Sequence, residues 1–212
     1  MKKSFENWLW EEIEDAFGLQ RALQLPLLEQ WLQGINLRID ASQLQFLERL
    51  RGLLASHHQD WNEEELKLNF IAPLLSFVNY YETPQYQPFA ERVLKTTVGN
   101  WELSGTVDWL LATGKQVPRV PFFFIHEYKR TKMGDADPLG QLLAAMFTAK
   151  TNDEQHRPVF GTYIIGKDWY FVVLDGVEYA QSKPYQAVKA DELREIINIL
   201  QHIKVLAAQY LF

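Results

Sequence analysis

One short segment constrains the fold more than any other part of the chain. Residues 120–125, Val-Pro-Phe-Phe-Phe-Ile, are apolar without alternation. A strand with one face in water alternates apolar and polar residues, whereas a strand that is covered on both faces is apolar throughout. Pro121 has no backbone N–H to donate and fits the beginning of such a strand. The sequence therefore predicts that Arg119–Lys129 is a strand in the middle of a sheet.

The patterns around this strand predict a mixed α/β chain. β-Branched and aromatic residues at 89–112, interrupted by Gly99-Asn100, predict two strands that are joined by a hairpin turn. Apolar spacing and capping residues predict the other elements: helices at 62–79, about 137–150 and about 191–210, and strands at 159–165 and 169–174. From Asn62 onward the predicted order is helix, three strands, helix, two strands, helix.

The first third of the chain is predicted to be helical, and it carries the excess negative charge. Apolar spacing predicts helices at residues 5–17, about 19–32 and about 41–55. Residues 1–65 hold 12 acidic residues against 6 Lys and Arg, while residues 66–212 hold 15 of each, so the net charge of −6 arises in the first part. We expect an N-terminal helical extension, residues 1–60, packed on an α/β domain of residues 61–212.

Composition limits the chemistry and the location of the protein. The chain has no cysteine, so any metal must be held by oxygen or imidazole, and the five histidines lack the spacing of a zinc site. A hard cation such as Mg²⁺ is the natural candidate. The sequence contains neither a nucleophile elbow nor a phosphate-binding Gly-rich loop. The absence of a signal-peptide pattern and of a long apolar stretch predicts a cytoplasmic protein without a membrane partner.

Three charged residues interrupt the predicted strands. Asp108 lies within an apolar strand, where aspartate is disfavoured. Glu127 and Lys129 end the central strand, and alternation places them on one face, opposite Tyr128. Taken alone, Glu-x-Lys also fits a salt bridge at a strand end. Together, Asp108 and Glu127 supply two carboxylates that a hard cation could bridge, and Lys129 could orient a nucleophile or stabilise transition-state charge.

Asp108 followed by Glu127-Tyr128-Lys129 resembles the signature of the PD-(D/E)XK nuclease superfamily. The core of that family is a helix, three strands, a helix and a further strand, which is the order predicted for residues 62–174. The resemblance covers about two thirds of the chain. It implies a restriction-endonuclease-like mixed sheet flanked by helices, with Mg²⁺ or Mn²⁺ as cofactor, Asp108 and Glu127 as metal ligands, and Lys129 as a catalytic residue.

The resemblance also implies a third metal ligand. Residues 62–67 and 70–75 are similar to the opening helix of the type I restriction-enzyme nuclease domain. Counting back from Pro73-Leu74-Leu75, Glu63 takes the place of the carboxylate of that helix, as an outer ligand. Glu64 is the alternative, and acids in a first helical turn also stabilise the helix dipole without any metal.

A further catalytic residue is implied on the second helix. Many relatives carry a Gln-x-x-x-Tyr motif there, and Gln141 matches its glutamine as an accessory catalytic residue. Ala145 stands in place of the tyrosine. Val107 replaces the proline of the family name, at a position that shapes the turn and holds no metal.

Two classes of function follow from these residues. The first is a divalent-metal-dependent nuclease that hydrolyses phosphodiester bonds, with DNA as the expected substrate and the endo or exo mode left open. The second is a catalytically inactive module of the same fold that binds a protein partner through the acidic N-terminal helices; the overall acidity and Ala145 favour it. An enzyme of other chemistry that uses the same strand pair for a metal is a third possibility. The oligomeric state is left open.

Overall fold

The computed structural model describes residues 1–82, 85–129 and 137–209, and for residues 121–127 and 129 it describes the backbone alone. Within these ranges the chain is a mixed α/β protein in which nine strands form one sheet with helices on both faces. No helix in these ranges combines the length and the apolar composition that crossing a bilayer requires.

The sheet contains five long strands and four short ones. In chain order they are β1 Lys2–Ser4, β2 Gln20–Arg21, β3 Gln87–Val98, β4 Trp101–Thr113, β5 Arg119–Lys129, β6 Val159–Ile165, β7 Asp168–Asp175, β8 Glu178–Gln181 and β9 Tyr185–Gln186. The strand order is β1-β4-β5-β6-β7-β8-β2, with β3 paired to β4 and β9 paired to β7. β3, β4 and β5 form an antiparallel meander, whereas β6 is parallel to β5.

The helices differ in length, and one of them is interrupted by a wider turn. They are α1 Trp10–Phe17, α2 Pro26–Leu32, α3 Ala41–His57, α4 Glu63–Leu66, α5 Ala72–Val78, α6 Pro138–Thr151 and α7 Ala190–Gln209. A π-helical turn, Lys67–Ile71, joins α4 to α5, so residues 63–78 form one interrupted helical segment, here called the α4–α5 segment.

Two hydrophobic clusters cover the two faces of the sheet. Along β7, Phe171 and Val173 contribute to one cluster, and Val172 and Leu174 to the other. The first cluster lies under α2, α3, the α4–α5 segment and α7, and the second lies under α1 and α6. The sheet is therefore the middle layer of three, which is why strand side chains on both faces are buried.

From Asn62 onward, the structure confirms the predicted elements and adds two short strands, β8 and β9, that the sequence patterns did not predict. Asn62 caps α4. Its side chain accepts a hydrogen bond from the Glu65 backbone nitrogen, and its own backbone nitrogen donates to the Glu65 carboxylate. The hairpin, β5, α6 and β6 lie within a few residues of the predicted bounds. Asp137 caps α6 by accepting a hydrogen bond from the Leu139 backbone, 3.1 Å away. The helix predicted to reach residue 210 ends at Gln209, the last described residue.

In the N-terminal third, two of the predicted helices are wrong in part. The helix predicted at 5–17 begins only at Trp10, after a 3-10 turn at Phe5–Asn7. The helix predicted at 19–32 begins at Pro26, because Gln20–Arg21 is a strand that pairs with β8. The second error has a clear physical cause. Short edge strands form through backbone hydrogen bonds to distant strands, and an amphipathic pattern in the local sequence does not reveal them.

Residues 1–60 build part of the same sheet and the same core. β1 pairs with β4 in parallel, and β2 pairs with β8. Trp31 of α2 is fully buried between the rings of Phe160 and Phe171, and its indole nitrogen donates to the Ile199 carbonyl oxygen at 2.9 Å. This segment therefore contributes two edge strands and three helices around the central strands.

The start of α6 packs against the N-terminal segment through a glycine. A Cβ atom at Gly140 would overlap the Trp8 carbonyl oxygen and lie 2.7 Å from backbone atoms of Leu9 and Trp10. In addition, the backbone nitrogen of Trp10 donates to the Asp137 carboxylate at 2.7 Å. The close approach of two backbones fixes α6, and with it the parallel connection from β5 to β6.

We expect Gly140→Ala to lower the free energy of unfolding by about 1–3 kcal/mol, because the added methyl group meets rigid backbone. Urea denaturation measures the change. The matched control is Gly52→Ala in α3, where an added Cβ meets nothing within 4 Å. Helix propensity predicts that this control stabilises the protein by about 1 kcal/mol. Equal stability of the Gly140→Ala variant and the unsubstituted protein would contradict the packing described here.

Candidate active site

Asp108, the first of the predicted site residues, lies in a gap between two strands that pair along one edge of β4. The β1 ladder on this edge ends at Ser104, and the β5 ladder begins at Trp109, which pairs with His126. Asp108 lies between the two ladders. Because β4 and β5 are antiparallel, continuing the register by one residue places the backbone of Glu127 opposite Asp108. We call this region, residues 105–108 of β4 with the flanking ends of β1 and β5, the strand fork.

A local irregularity turns Asp108 toward the α4–α5 segment. Val107 and Leu110 pack in the cluster under α1 and α6, whereas Trp109 packs in the opposite cluster. Asp108 contacts Lys67 of the α4–α5 segment, so two successive residues of β4, Asp108 and Trp109, face the same layer. A regular strand would alternate them. This break in the alternation of β4 is what brings a carboxylate to this face.

The neighbouring strand is irregular at the same level. On β3, Ala90 and Arg92 pair with Trp109 and Val107, and between them Glu91 has a φ of 50°. A positive φ is uncommon for a residue other than glycine, and such strained conformations cluster at functional sites. The irregularity therefore spans both strands and lies beside Asp108.

Each oxygen of the Asp108 carboxylate has a partner. Oδ2 accepts a hydrogen bond from the backbone nitrogen of Tyr128 in β5 at 2.9 Å. Oδ1 lies 2.7 Å from the Lys67 ammonium, and the Asp108 side chain is only 13% exposed. One carboxylate thus links β4, β5 and the α4–α5 segment, and a buried charge is tolerated because it is paired.

Lys67 stands among four carboxylates. Its Nζ is 2.7 Å from Asp108, 3.1 Å from Glu64, and 3.5 Å from both Glu63 and Glu91. Burial by itself would lower the pKa of Lys67, but the hydrogen bond and the charge of Asp108, followed by those of the glutamates, outweigh burial and raise the pKa above its ordinary value. Lys67 is therefore a fixed positive charge at the strand fork.

The π-helical turn gives Lys67 this position. The capping exchange between Asn62 and Glu65 fixes the first turn of α4, which carries Glu63 and Glu64. Lys67 follows at the start of the π-helical turn, four residues from Glu63. Single π turns within helices occur frequently at functional sites. Of the two alternatives for the helix carboxylate, Glu64 lies closer to the Lys67 ammonium and is more exposed, at 73% against 34% for Glu63.

The structure describes only part of the predicted catalytic set. The backbones of Glu127 and Lys129 lie in β5, but their side chains fall outside the described residues. Tyr128, which sequence alternation sets opposite these two residues, lies beside Lys67 on the face that Asp108 occupies, with the ammonium 5.9 Å from its ring. Regular alternation in β5 would place the side chains of Glu127 and Lys129 on the face opposite Asp108. Their convergence on Asp108 is therefore a prediction, and it requires β5 to depart from alternation here, as β4 does.

Gln141 lies in a different place from Asp108. It is buried in α6 and lines a cavity with Ser104, Gly105 and Thr106, on the face that α6 covers. Asp108 instead lines the cavity on the opposite face. The described contacts do not bring Gln141 to Asp108, because the irregularity in β4 turns the carboxylate away from α6.

Sequence patterns missed two residues that contact this site. Lys67 bears a detectable signal, since a lysine four residues after Glu63 lies on the same helix face. Its pairing with Asp108, however, is a contact between distant parts of the chain. Glu91 carries no signal, because nothing in the sequence marks a glutamate that will adopt a positive φ.

The fork suits a hard cation by its chemistry, and the described side chains alone do not complete a metal site. Carboxylate oxygens are the donors that Mg²⁺ and Mn²⁺ prefer. Within the described residues, however, no group of three or more His, Asp and Glu side chains is arranged to hold a metal ion. A complete ligand set therefore needs a side chain outside the described ones, and Glu127, whose backbone the continued register sets opposite Asp108, is the predicted one.

Comparisons with known proteins assign no family to the chain. No protein-family model and no curated protein sequence matches it. Any functional assignment therefore rests on the residues of the fork and on the order of the elements that carry them.

We expect the pKa of Lys67 to fall when Asp108 is replaced by Asn, because Asp108 is the strongest of its raising partners. Side-chain ¹⁵N NMR across alkaline pH measures this. The exposed Glu154→Gln serves as the control and should leave the Lys67 pKa unchanged. Because the folded pKa is raised, the stabilisation is complete below about pH 10 and is lost as the pH rises through the raised value. An unchanged pKa in Asp108→Asn would contradict the pairing.

Proposed function

We propose that the chain is a divalent-metal-dependent nuclease that hydrolyses phosphodiester bonds, with DNA as its substrate and the strand fork as its active site. The observation that carries the proposal is the position of Asp108. Its carboxylate departs from the alternation of β4 and accepts a hydrogen bond from the Tyr128 backbone in β5. The register of β4 and β5, continued by one residue, sets the backbone of residue 127 opposite that of Asp108. A packing role would not require a carboxylate at this place.

The order and pairing of the elements support the same proposal. The α4–α5 segment, the antiparallel meander β3–β5, the helix α6 and the parallel strand β6 follow one another in the order of the PD-(D/E)XK core. We propose that the sheet is of the restriction-endonuclease-like type. Because a fold alone does not imply an activity, the proposed function depends mainly on the residues of the site.

The residues of the fork take the following proposed roles. Asp108 and Glu127 would hold Mg²⁺ or Mn²⁺, with Glu63 or Glu64 as an outer ligand. A bound divalent cation polarises a phosphoryl oxygen and lowers the pKa of its water. Lys129 would stabilise negative charge on the phosphate, and Lys67, which holds Asp108 in the described structure, is a second lysine in position to do so.

The charge of the fork makes substrate binding dependent on a cation. Among the described side chains, four carboxylates surround the ammonium of Lys67, so this cluster repels a phosphate backbone. A divalent cation at Asp108 would reverse that balance locally. A protein with a net charge of −6 could in this way bind a polyanion at one point without a basic surface.

A non-catalytic module that binds a protein partner through the acidic N-terminal helices is the second candidate. The observation that favours it is the Lys67–Asp108 ion pair, which satisfies the carboxylate without any metal. Such a module would keep the fold while the fork serves only as a structural link between the strands and the α4–α5 segment.

A cleavage assay separates the two candidates. Purified protein is incubated with single- and double-stranded DNA, and with RNA, in Mg²⁺ or Mn²⁺. We expect metal-dependent cleavage that falls ~100-fold or more in Asp108→Asn, Glu127→Gln and Lys129→Met, since each removes a group that acts in the transition state. Glu154→Gln is the control for an exposed acid. Cleavage that persists in these variants would refute the site, and its absence from every metal and substrate pair would favour the non-catalytic module.

The Lys67 ammonium is expected to compete with the metal for Asp108. We expect Lys67→Met to bind Mn²⁺ roughly tenfold more tightly than the unsubstituted protein, because a charged hydrogen bond contributes about 1.5–3 kcal/mol to holding the carboxylate. Isothermal titration calorimetry measures the affinity without any substrate. Asp108→Asn in the same background should abolish the gain. Equal or weaker Mn²⁺ binding by Lys67→Met would show that the ammonium does not occupy the position of the cation.

A further inference from the structure

A cavity of about 340 Å³ opens beside Asp108, between the α4–α5 segment, β3 and β4. Its size is at the lower end of the range for small-molecule sites, roughly 300–1,000 Å³. Asp108 and Lys67 lie in its wall, so whatever occupies the cavity lies next to the proposed catalytic carboxylate. The other residues that line the cavity determine which chemical group it can accept.

The walls are rich in aromatic rings, one of them at the surface. Tyr80, Tyr81, Trp109 and Tyr128 line the cavity. Tyr80 is fixed, because its hydroxyl donates to the Leu200 carbonyl oxygen at 3.0 Å and its ring lies 5.2 Å from that of Trp109. Tyr81 is 71% exposed. A rigid aromatic wall beside an exposed ring suits a flat ligand that stacks, and such stacking contributes about 1–3 kcal/mol per nucleobase.

The charges that line the cavity disfavour an anionic ligand. Lys67 and Asp108 neutralise each other, and the third charged side chain, Glu91, is 61% exposed and also lies 3.5 Å from Lys67. A phosphate gains nothing inside such a cavity, whereas a neutral base does. Ser76 and Asn79 add hydroxyl and amide groups to the wall, which can serve the polar edges of a base.

We propose that this cavity receives one unpaired nucleobase from the strand whose phosphate lies at Asp108, an inference that rests on the proposed function. The substrate class is then single-stranded nucleic acid, or a duplex with an unpaired end or flap. A paired base would have to leave its stack first, at a cost of about a few kcal/mol. The cavity therefore selects strands whose bases are already free.

Binding in the absence of cleavage tests the proposal. Ca²⁺ replaces Mg²⁺, and fluorescence anisotropy follows a labelled twelve-nucleotide thymidine strand and a labelled duplex of the same length. Tyr81→Ala should weaken single-strand binding roughly 5- to 150-fold, the range that corresponds to the loss of one stacked base, and should change duplex binding less than about twofold. Tyr81→Phe should retain single-strand binding, because the ring remains. The control is Leu23→Ala, a fully exposed apolar residue outside the cavity.

Two results would overturn the proposal. The first is single-strand binding that Tyr81→Ala leaves unchanged, or a loss that is equal for strand and duplex. The second is competition by tetramethylammonium, which would make the aromatic walls a site for an organic cation. The proposed catalysis fails separately. Strand binding that depends on Tyr81, without any cleavage in Mg²⁺, would reject the nuclease and support the base cavity. Cleavage of duplex DNA at a rate that Tyr81→Ala leaves unchanged would support the nuclease and reject the base cavity.

Discussion

The arrangement of the strand fork depends on the carboxylate of Asp108. Its two oxygens take a backbone N–H from β5 and the ammonium of Lys67, so a single side chain joins two strands to the helical segment above them. A carboxylate buried to this degree is tolerated only with both oxygens satisfied. The break in the alternation of β4, the positive φ of Glu91 and the aromatic cavity all lie around this carboxylate. The position of Asp108 is thus the physical basis of the proposed site.

The acidity of the chain and the proposed nucleic-acid substrate are compatible if affinity is divided between two neighbouring regions. At the fork, the carboxylates around Lys67 repel phosphate until a divalent cation is bound. In the cavity, the paired charges of Lys67 and Asp108 leave walls that suit a neutral base. Both regions share Asp108. Specificity would then arise from cation and base together rather than from a basic surface.

Local sequence patterns predicted most of the helices and strands. The features that they missed depend on contacts between residues far apart in the chain. The apolar run of β5, the Asn62 cap and the Asp137-Pro138 start of α6 are encoded within a few residues, and their positions were predictable. The edge strands β1 and β2 depend on partners far along the chain. The same holds for the site. Asp108 was conspicuous as an acid in an apolar strand, whereas its partner Lys67 and its separation from Gln141 follow from the irregularity of β4.

Above all, we propose that Asp108 and Glu127 together hold a divalent cation at the strand fork. Crystals grown with Mn²⁺ test it directly, through an anomalous difference map at the manganese edge. We expect a peak about 2.0–2.6 Å from a carboxylate oxygen of each residue, the range of bonds between hard cations and oxygen, with the Lys67 ammonium moved off Asp108. A map without a peak at the fork, in which Lys67 still pairs with Asp108, would contradict it.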